Sequence, residues 1–362
     1  MNQYINYSII SKLPKDHFGQ LTDEVLHLLT NGECCVVYSL PGGGISYFSK
    51  QINFLLSKQF PYIKTINLSL ELENNKVEVL NKELSKLSKI KNIDEINLGE
   101  YLRKNKIIII LNEVDSPKYK KFYKYLNALR NINKDNLTIL TVGYYTLFKY
   151  SNKYLENACD VFHPLKRLNN FDLEGVKRII KINNSHYGWN IPLSLTKKIL
   201  FLSGGHPALV KYISNEVDTK GEKILNFKNK LVKSQPINFR LSEITKLITK
   251  LTIEEQFQIG ILNNNGTLFS DLLVEYLKTN EIEGLDKLFP DLTKLDRKIL
   301  TLFVRNSEKV INKDQLSIIL EQTADSYSEW AIYKAVARVR KKIKDKYNIK
   351  TLKGRGWIME SK

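Results

Sequence analysis

Cysteine is scarce in this chain: Cys34, Cys35 and Cys159 are the only three in 362 residues. An odd number with two adjacent members has no metal-ligand spacing and closes no complete disulfide framework. That excludes a disulfide-stapled secreted scaffold and points to a reducing cytoplasm. Long apolar runs are missing too. The longest unbroken aliphatic stretch, Ile107 to Leu111, falls far short of the roughly 20 residues that cross a bilayer, so no membrane partner is expected. The opening MNQYINYSIISKLPKDHF has no apolar stretch leading to a small-residue cleavage site, so no secretory leader is expected there. No internal repeat or low-complexity tract stands out. Carboxylates are in short supply: 38 Asp and Glu face 56 Lys and Arg, for a formal charge of +18 and an isoelectric point near 9.5. A field of that sign gathers polyanions such as nucleic acid or an anionic surface. Lys, Asn and Ile are abundant everywhere, however, as AT-biased coding produces, so the distribution of charge says more than its sum.

What the chain does have is an apolar content of 43%, enough at this length for two or three packed domains. Up to about Leu165, helix-like and strand-like segments alternate: a helix near Gln20 to Leu29, the run ECCVVYSL, a glycine cluster, the helical stretch ISYFSKQINFLL, then KIIIILNEVD and NLTILTVGYY. Short apolar runs between helical periods predict an α/β domain over residues 1–165, a parallel sheet covered by helices on both faces. From Asp172 the pattern turns helical, and the GG-then-Pro of SGGHPALVKYI ends one helix and starts the next. Residues 166–250 are expected to form a helical lid, with Pro236 in a polar, basic stretch read as a linker. Residues 251–289 read as helix, tight turn and helix, a short helical or abbreviated winged-helix connector. Residues 290–362 form the last domain.

That last domain carries the sharpest signal. LTKLDRKILTLFVRN is an amphipathic helix, and NKDQLSIIL a second, with Asn312 and Gln315 at capping-box spacing. A third follows Ser326, itself three residues before Glu329. On it Ile332, Val336, Val339 and Ile343 recur every three to four positions as one apolar stripe. Trp330, Lys334, Ala337, Arg338 and Lys341 then share the opposite face, with Arg340 and Lys344 on the flank. Such a face suits the major groove of duplex DNA: arginine reaches guanine edges, lysine neutralises phosphates, and the flank meets the backbone. In NIKTLKGRGWIME, two extended segments enclose Lys353 and the glycine-flanked Arg355. They predict a β-hairpin wing that carries cations to the minor groove or its phosphates. The same fold with a merely solvated basic face would suit docking to a protein.

KAVARVRKKI together with IKTLKGRGWIM resembles the C-terminal DNA-binding domain of two-component response regulators of the OmpR/PhoB type, whose recognition helix ends in R-x-R-K and whose wing reads I-x-T-x-x-G-x-G-aromatic. The resemblance implies a winged helix-turn-helix that binds double-stranded DNA. No phosphoacceptor receiver domain precedes it, and Ala337 stands where many relatives carry a longer polar residue.

Near the N-terminus a strand, a glycine-rich turn and a helix follow one another, the frame in which backbone N–H groups and a helix start attract phosphate. SLPGGGIS lies on the GxxxxGK[ST] template with Gly42, Gly43 and Gly44 in the turn, Ile45 at the lysine, and Ser46 at the hydroxyl that ligates magnesium. The lysine is gone. Lys50, one turn beyond Ser46, substitutes only if its side chain runs back over a full turn. The strand IIIIL runs into Asn112 and Glu113, where such enzymes carry a metal-holding aspartate and a water-orienting glutamate. A neutral Asn112 lowers the expected metal affinity. Asp115 is its candidate replacement, and Glu113 the catalytic residue if the site is active. Thr141, ending the third apolar run, reads either as a γ-phosphate sensor or, more commonly for such a position, as a half-buried strand threonine.

The glycine turn, the aliphatic strand ending NEVD and the segment SGGHPALVKYI resemble the STAND class of signalling NTPases and related AAA+ proteins, archaeal origin-recognition ATPases among them. That resemblance implies a P-loop NTPase fold over about residues 16–250, ATP or ADP with Mg²⁺ as cofactors, and Gly205, His206 and Pro207 near the nucleotide. His206 also reads as an ordinary helix-start residue. Loss of the lysine and the aspartate harms hydrolysis more than binding, since both act on phosphate charge and metal. The fold class expected is therefore α/β, a P-loop NTPase-like parallel sheet with a helical lid, followed by an α+β winged-helix domain. The function expected is a DNA-binding regulator of transcription, cytoplasmic and nucleoid-associated, with a homo-oligomer among its expected partners. In it an impaired NTPase module supports the DNA reader. The alternatives are an active ATP-dependent DNA-binding ATPase of origin-recognition, transposition or defence type, using Lys50 and Asp115, and an interaction scaffold. ATP turnover separates the first two readings, and DNA binding separates both from the third.

Overall fold

Strands covered on two faces carry aliphatic residues at odd and even positions alike, and the runs around Val36, Ile109 and Ile139 have that composition. The computed structural model describes all residues except 1–6, 12, 70–74, 91–92, 115–119, 145–160, 264–265, 289–290, 307–309, 322–327, 346 and 362. It divides into two compact units, Met1–Leu273 and Val274–Lys362. In the first, β1 (Cys35–Ser39), β2 (Ile63–Ser69), β3 (Lys106–Val114), β4 (Leu137–Tyr144) and β5 (Leu165–Arg167) form a five-stranded sheet in the order β2-β3-β4-β1-β5. Its ladders are all parallel.

Alternation along the strands sends Val37, Ile108, Ile110 and Leu140 to one face. There α1 (Tyr7–Ile10), α2 (Gln20–Thr30) and α3 (Ile45–Gln59) lie, with Val25, Leu29, Phe48 and Ile52 buried against the sheet. Val36, Ile107, Ile109 and Ile139 point the other way, towards α4 (Lys76–Ser88), α5 (Glu95–Leu102) and α6 (Lys120–Ile132). Cys34 and Cys35 are buried as free thiols in these two opposite cores, so neighbours in sequence are kept apart by the sheet. Burial pushes the Cys35 thiol up to about 12, which leaves it inert.

The lid follows as α7 (Leu173–Tyr187), α8 (Thr196–Ser203), α9 (Pro207–Lys220), α10 (Lys228–Lys233) and α11 (Gln235–Ile248). Asp172 caps α7 by accepting from the Gly175 N–H. Gly204 in the left-handed region closes α8, and Pro207 opens α9, as the GG-then-Pro pattern requires. The stretch around Pro236, expected to be a linker, is instead the first turn of α11, where a proline forfeits no hydrogen bond. The helix α12 (Ile253–Gln258) starts with a capping box between Thr252 and Glu255. An antiparallel bridge, Leu262 to Leu268, leads to α13 (Asp271–Leu288), within which the two units meet in sequence.

The second unit contains α14 (Lys294–Arg305), α15 (Lys313–Glu321), α16 (Glu329–Ile343) and the hairpin of β6 (Tyr347–Leu352) and β7 (Gly356–Ser361). A further antiparallel bridge joins Ile311 to Trp357. Ile332, Val336, Val339 and Ile343 are all buried, together with Phe303, Leu316 and Trp357. Asn312 and Gln315 exchange the reciprocal bonds of a capping box at 2.9 and 3.0 Å. Ser328 caps α16 by accepting from Ala331, whereas Ser326 lies outside the described residues. Among the described residues no helix is long and apolar enough to cross a membrane.

Candidate functional site

The segment between β1 and α3 turns back on itself through a hydrogen bond from the Gly43 N–H to the Leu40 carbonyl. Gly44 then caps α3 in the left-handed region. Ile45, at the lysine position, is 4% exposed and packs in the core with Phe18 and Phe48. The Tyr47 and Phe48 N–H groups both donate to the Gly44 carbonyl at 3.0 Å, and the Ile45 and Ser46 N–H groups ahead of them precede any intrahelical acceptor, which leaves the helix start suited to an anion. Gly42, Gly44 and Ser46 line a cavity of about 480 Å³, and Pro207 of the lid lines it with them. Lys50 sits half-buried on α3 and is not among the cavity's lining residues.

Lid and loop are clasped together within this unit. The carbonyl of Gly42 accepts from Ala208 at 3.3 Å. His206 is fully buried; its Nδ1 accepts from the Leu209 N–H, capping α9, so Nε2 carries the proton and donates to the Pro41 carbonyl at 3.1 Å. His206 is thus a helix start that also touches the glycine loop, and of the expected trio Gly205, His206 and Pro207 only Pro207 lines the cavity. Burial, reinforced by the Arg240 charge, holds the His206 pKa down to about 3, so it is neutral at pH 7. Gly205 accepts from the Phe171 N–H at 2.9 Å, tying the lid to the segment after β5.

Three residues that nothing in the sequence marked converge here. Arg240, on α11, is 16% exposed and pairs with Glu243 at 2.6 Å, yet its Nε has no partner. The guanidinium lies so close to the loop that a Cβ on Gly42 would come within 2.6 Å of that Nε. Gly42, at φ 79°, is thus needed both for its backbone and for the approach of the arginine. His17 and Asn183 also line the cavity. They are 6% and 7% exposed, and His17 Nδ1 and Asn183 Nδ2 have no hydrogen-bond partner. Burial, with Arg178 nearby, lowers the His17 pKa to about 4. The cavity therefore combines the polar side chains of His17, Asn183 and Arg240 with aromatic ones, a lining whose chemistry suits a nucleotide.

The metal does not fit as well. Asn112 and Glu113 fall where the β3–β4 register shifts between Leu111 and Val114, a bulge of the kind that re-aims side chains. The Asn112 Oδ1 already accepts from the Ser49 hydroxyl, and its Nδ2 donates to the Leu68 carbonyl at 3.5 Å. A neutral amide whose oxygen is already engaged is a poor ligand for Mg²⁺. The Glu113 side chain and Asp115 lie outside the described residues. Among the described residues no three His, Cys, Asp or Glu are grouped to hold a metal. Thr141 is fully buried rather than half-buried; its hydroxyl has no partner, and it does not line the cavity.

In the second unit, α16 exposes Lys334, Ala337, Arg338 and Lys341 opposite its buried stripe. Trp330 is 63% exposed, with the Lys334 ammonium 3.5 Å from its ring centre. Arg338 Nε donates to Asp296 of α14 at 2.6 Å, and Lys342 reaches the same carboxylate at 3.0 Å. Asp296 is wholly buried while Arg338 keeps 43% exposure, so the arginine is anchored at one edge and open at the other. Burial works to raise the Asp296 pKa, but hydrogen bonds from Lys342, Arg338 and Thr293 hold it below the usual carboxylate range. The T-x-x-D spacing of Thr293 and Asp296, which also cap α14 reciprocally, was the available sign of this residue. Arg340 is turned to the wing, donating to the Thr351 hydroxyl at 2.8 Å. Lys344 is exposed at the end of α16. Lys353 and Arg355 are exposed at the tip of the hairpin, whose turn closes from the Arg355 N–H to the Leu352 carbonyl. Gly356, at φ 131°, lets β7 pass so near Ile311 that a Cβ would stand 2.1 Å from its carbonyl oxygen.

The parallel sheet with its glycine turn, anion-ready helix start and helical lid is a P-loop NTPase fold, and the C-terminal unit is a winged helix. Residues 289–359 match the family described as transcriptional regulatory protein, C terminal, so this domain is of the OmpR/PhoB type. No curated protein matches the chain in sequence. Among solved structures, the chain is similar to the ORC1 protein of Aeropyrum pernix in complex with DNA, at 9% identity over 99% of this chain and 94% of that one, TM-score 0.40. It is similar also to the Walker-type ATPase paby2304 of Pyrococcus abyssi, at 11% identity over 96% and 93%, TM-score 0.43. A third likeness is to the RuvB Holliday junction branch migration motor of Thermotoga maritima, at 13% over 96% and 93%, TM-score 0.36.

Proposed function

We propose that this protein is a DNA-binding regulator of transcription in which a P-loop module with an impaired hydrolytic site supports a winged-helix reader of duplex DNA. The observation that carries the reading is the face of α16. Lys334, Ala337, Arg338 and Lys341 stand exposed on a helix whose other side is locked in a core, and Lys353 and Arg355 extend the same positive surface to the wing. The match of residues 289–359 to a family of transcriptional regulators supports it. The module's cofactor is ATP or ADP, retained for binding rather than turnover. Ile45 in the core and the engaged amide of Asn112 support that view, because phosphoryl transfer depends on preorganised cations at the leaving phosphate. A cytoplasmic, nucleoid-associated setting, with self-association through the module, completes the reading.

The test is duplex binding by fluorescence anisotropy across a salt series. Affinity falls steeply with salt as counterions are released. In a Lys334→Ala, Lys341→Ala, Arg355→Ala variant, which spares the anchored Arg338, the slope of log affinity against log salt drops by about three, roughly one per lost phosphate contact. Unchanged affinity in that variant would overturn the assignment of the reader. Sustained Mg²⁺-dependent ATP turnover, abolished by Glu113→Gln, would overturn the impaired site and favour the ATPase reading.

A further inference from the structure

Charge is missing from the glycine loop itself, and the structure brings it from elsewhere in the chain. We propose that Arg240 of α11 is the phosphate cation of this cavity, so that a nucleoside di- or triphosphate is held without Mg²⁺, its base completed by His17 and Asn183. The inference rests on the nucleotide part of the function proposed above and specifies how that ligand is recognised.

Several independent features of the site lead there. The guanidinium of Arg240 packs on Gly42, where even a methyl group would collide with it, and its Nη1 is fixed by Glu243. Its Nε is buried and unpartnered. A guanidinium offers donors in a planar fork suited to phosphate oxygens, and such charge-assisted bonds are stronger than neutral ones. The start of α3 adds backbone N–H groups beside it. Among the described residues the cavity offers Mg²⁺ little beyond the Ser46 hydroxyl, since the Asn112 oxygen is occupied by Ser49.

The remainder of the cavity suits a heterocycle. Phe18, Tyr47, Phe171 and Tyr187 line it, and aromatic rings of this kind stack on a base. His17 and Asn183 line it as well and bring polar side chains to the edge of the base. His17 is neutral near pH 7, with its pKa near 4, so it meets an uncharged ring rather than a second anion. At about 480 Å³ the space falls within the range of small-molecule and cofactor sites. Because Arg240 and His206 both belong to the lid while the loop belongs to the sheet domain, a ligand here also ties the lid to the loop.

The test is calorimetric titration of the full chain with ADP and ATP, in Mg²⁺ and in excess EDTA, alongside adenosine and inorganic tripolyphosphate as partial probes. The expected result is nucleotide affinity that EDTA changes by less than about twofold and that Arg240→Gln lowers about tenfold or more. Each partial probe binds far more weakly than the nucleotide. His17→Phe and Asn183→Leu weaken adenosine and ADP while leaving tripolyphosphate unaffected. Circular dichroism and thermal midpoints establish that the variants are folded, and Arg240→Lys serves as a second, charge-retaining variant, expected to recover part of the loss. Binding that requires Mg²⁺, or that survives Arg240→Gln unchanged in a folded protein, overturns the inference while leaving nucleotide binding intact. Absence of any nucleotide binding overturns both that part of the proposed function and this inference. DNA binding, measured separately without nucleotide, stands or falls independently of either result.

Discussion

In the first unit the cation nearest the glycine loop belongs to another element, Arg240 of α11, whereas in the second the reading face carries its cations on α16 and on the adjoining wing tip. The loop region is short of charge and leaves polar atoms of Arg240, His17 and Asn183 unmet. The reader has charge in excess and spends one buried carboxylate, Asp296, on holding Arg338 and Lys342 in place. Under the proposed function, the cavity would complete its electrostatics from inside, with a ligand, and the α16 face from outside, with a polyanion. The same contrast extends to titration, because all five histidines precede Leu273 and the second unit has none.

Acid is the strongest way to separate the two. Burial holds the folded pKa values of His17 and His206 near 4 and 3, well below the 6.5 of a free imidazole, so below pH 6.5 the unfolded chain binds protons that the folded one refuses. Their stabilisation is present above about pH 6.5 and lost as pH falls towards those folded values, about 2 kcal/mol for each at pH 5. Asp296 is shifted the opposite way, below its usual value; its contribution is present above about pH 4 and begins to fade only under more acidic conditions. Hydrogen exchange on the full chain at pH 8 and pH 5 should therefore show loss of protection in β3 and retention in α16. Equal losses in both would remove the contrast.

Asp296→Ala strikes the second unit alone. It removes the carboxylate half of the α14 capping box and leaves two cations without their counter-charge, for a loss of about 2–3 kcal/mol after allowing for the exposure of Arg338. Urea unfolding followed by the exposed Trp330 and the buried Trp357 should report it. A shift below a few tenths of a kcal/mol would mean that Arg338 and Lys342 find other partners. Smaller still, Gly42→Ala places a side chain at φ 79° against Arg240 and should cost the first unit about 1–2 kcal/mol. It should leave DNA affinity unaltered in the anisotropy assay. An effect on DNA affinity would show that the units do not bind independently.

Legibility followed the range of the interactions involved. The strands β1, β3 and β4 announce themselves as aliphatic runs, but β2, IKTINLS, is half-exposed at the sheet edge, and β5 is three residues, Leu-Lys-Arg, of intermediate exposure. Neither carries an apolar signal to read. Pro236 was misleading because a proline in a polar stretch looks the same whether it breaks a chain or opens a helix. The stripe Ile332, Val336, Val339 and Ile343 and the cap at Asn312 and Gln315 were readable because both depend on residues at most four apart. Arg338 looked like a free reader of bases; that its Nε is committed to Asp296, 42 positions earlier, is a fact of packing.

The amino-acid sequence by itself determined the winged helix, through helical period, caps and the glycines of the wing, and it set Ile45 after the glycine turn and Asn112 near the end of β3, which are simple identities in the chain. Only the tertiary structure decided which side chains gather beside that turn. His17, Asn183 and Arg240 are scattered over more than two hundred residues yet line one cavity. The physical reason is that backbone periodicity and capping act between near neighbours in the chain, whereas a buried charge or an unmet hydrogen-bonding atom is defined by whatever the fold places beside it.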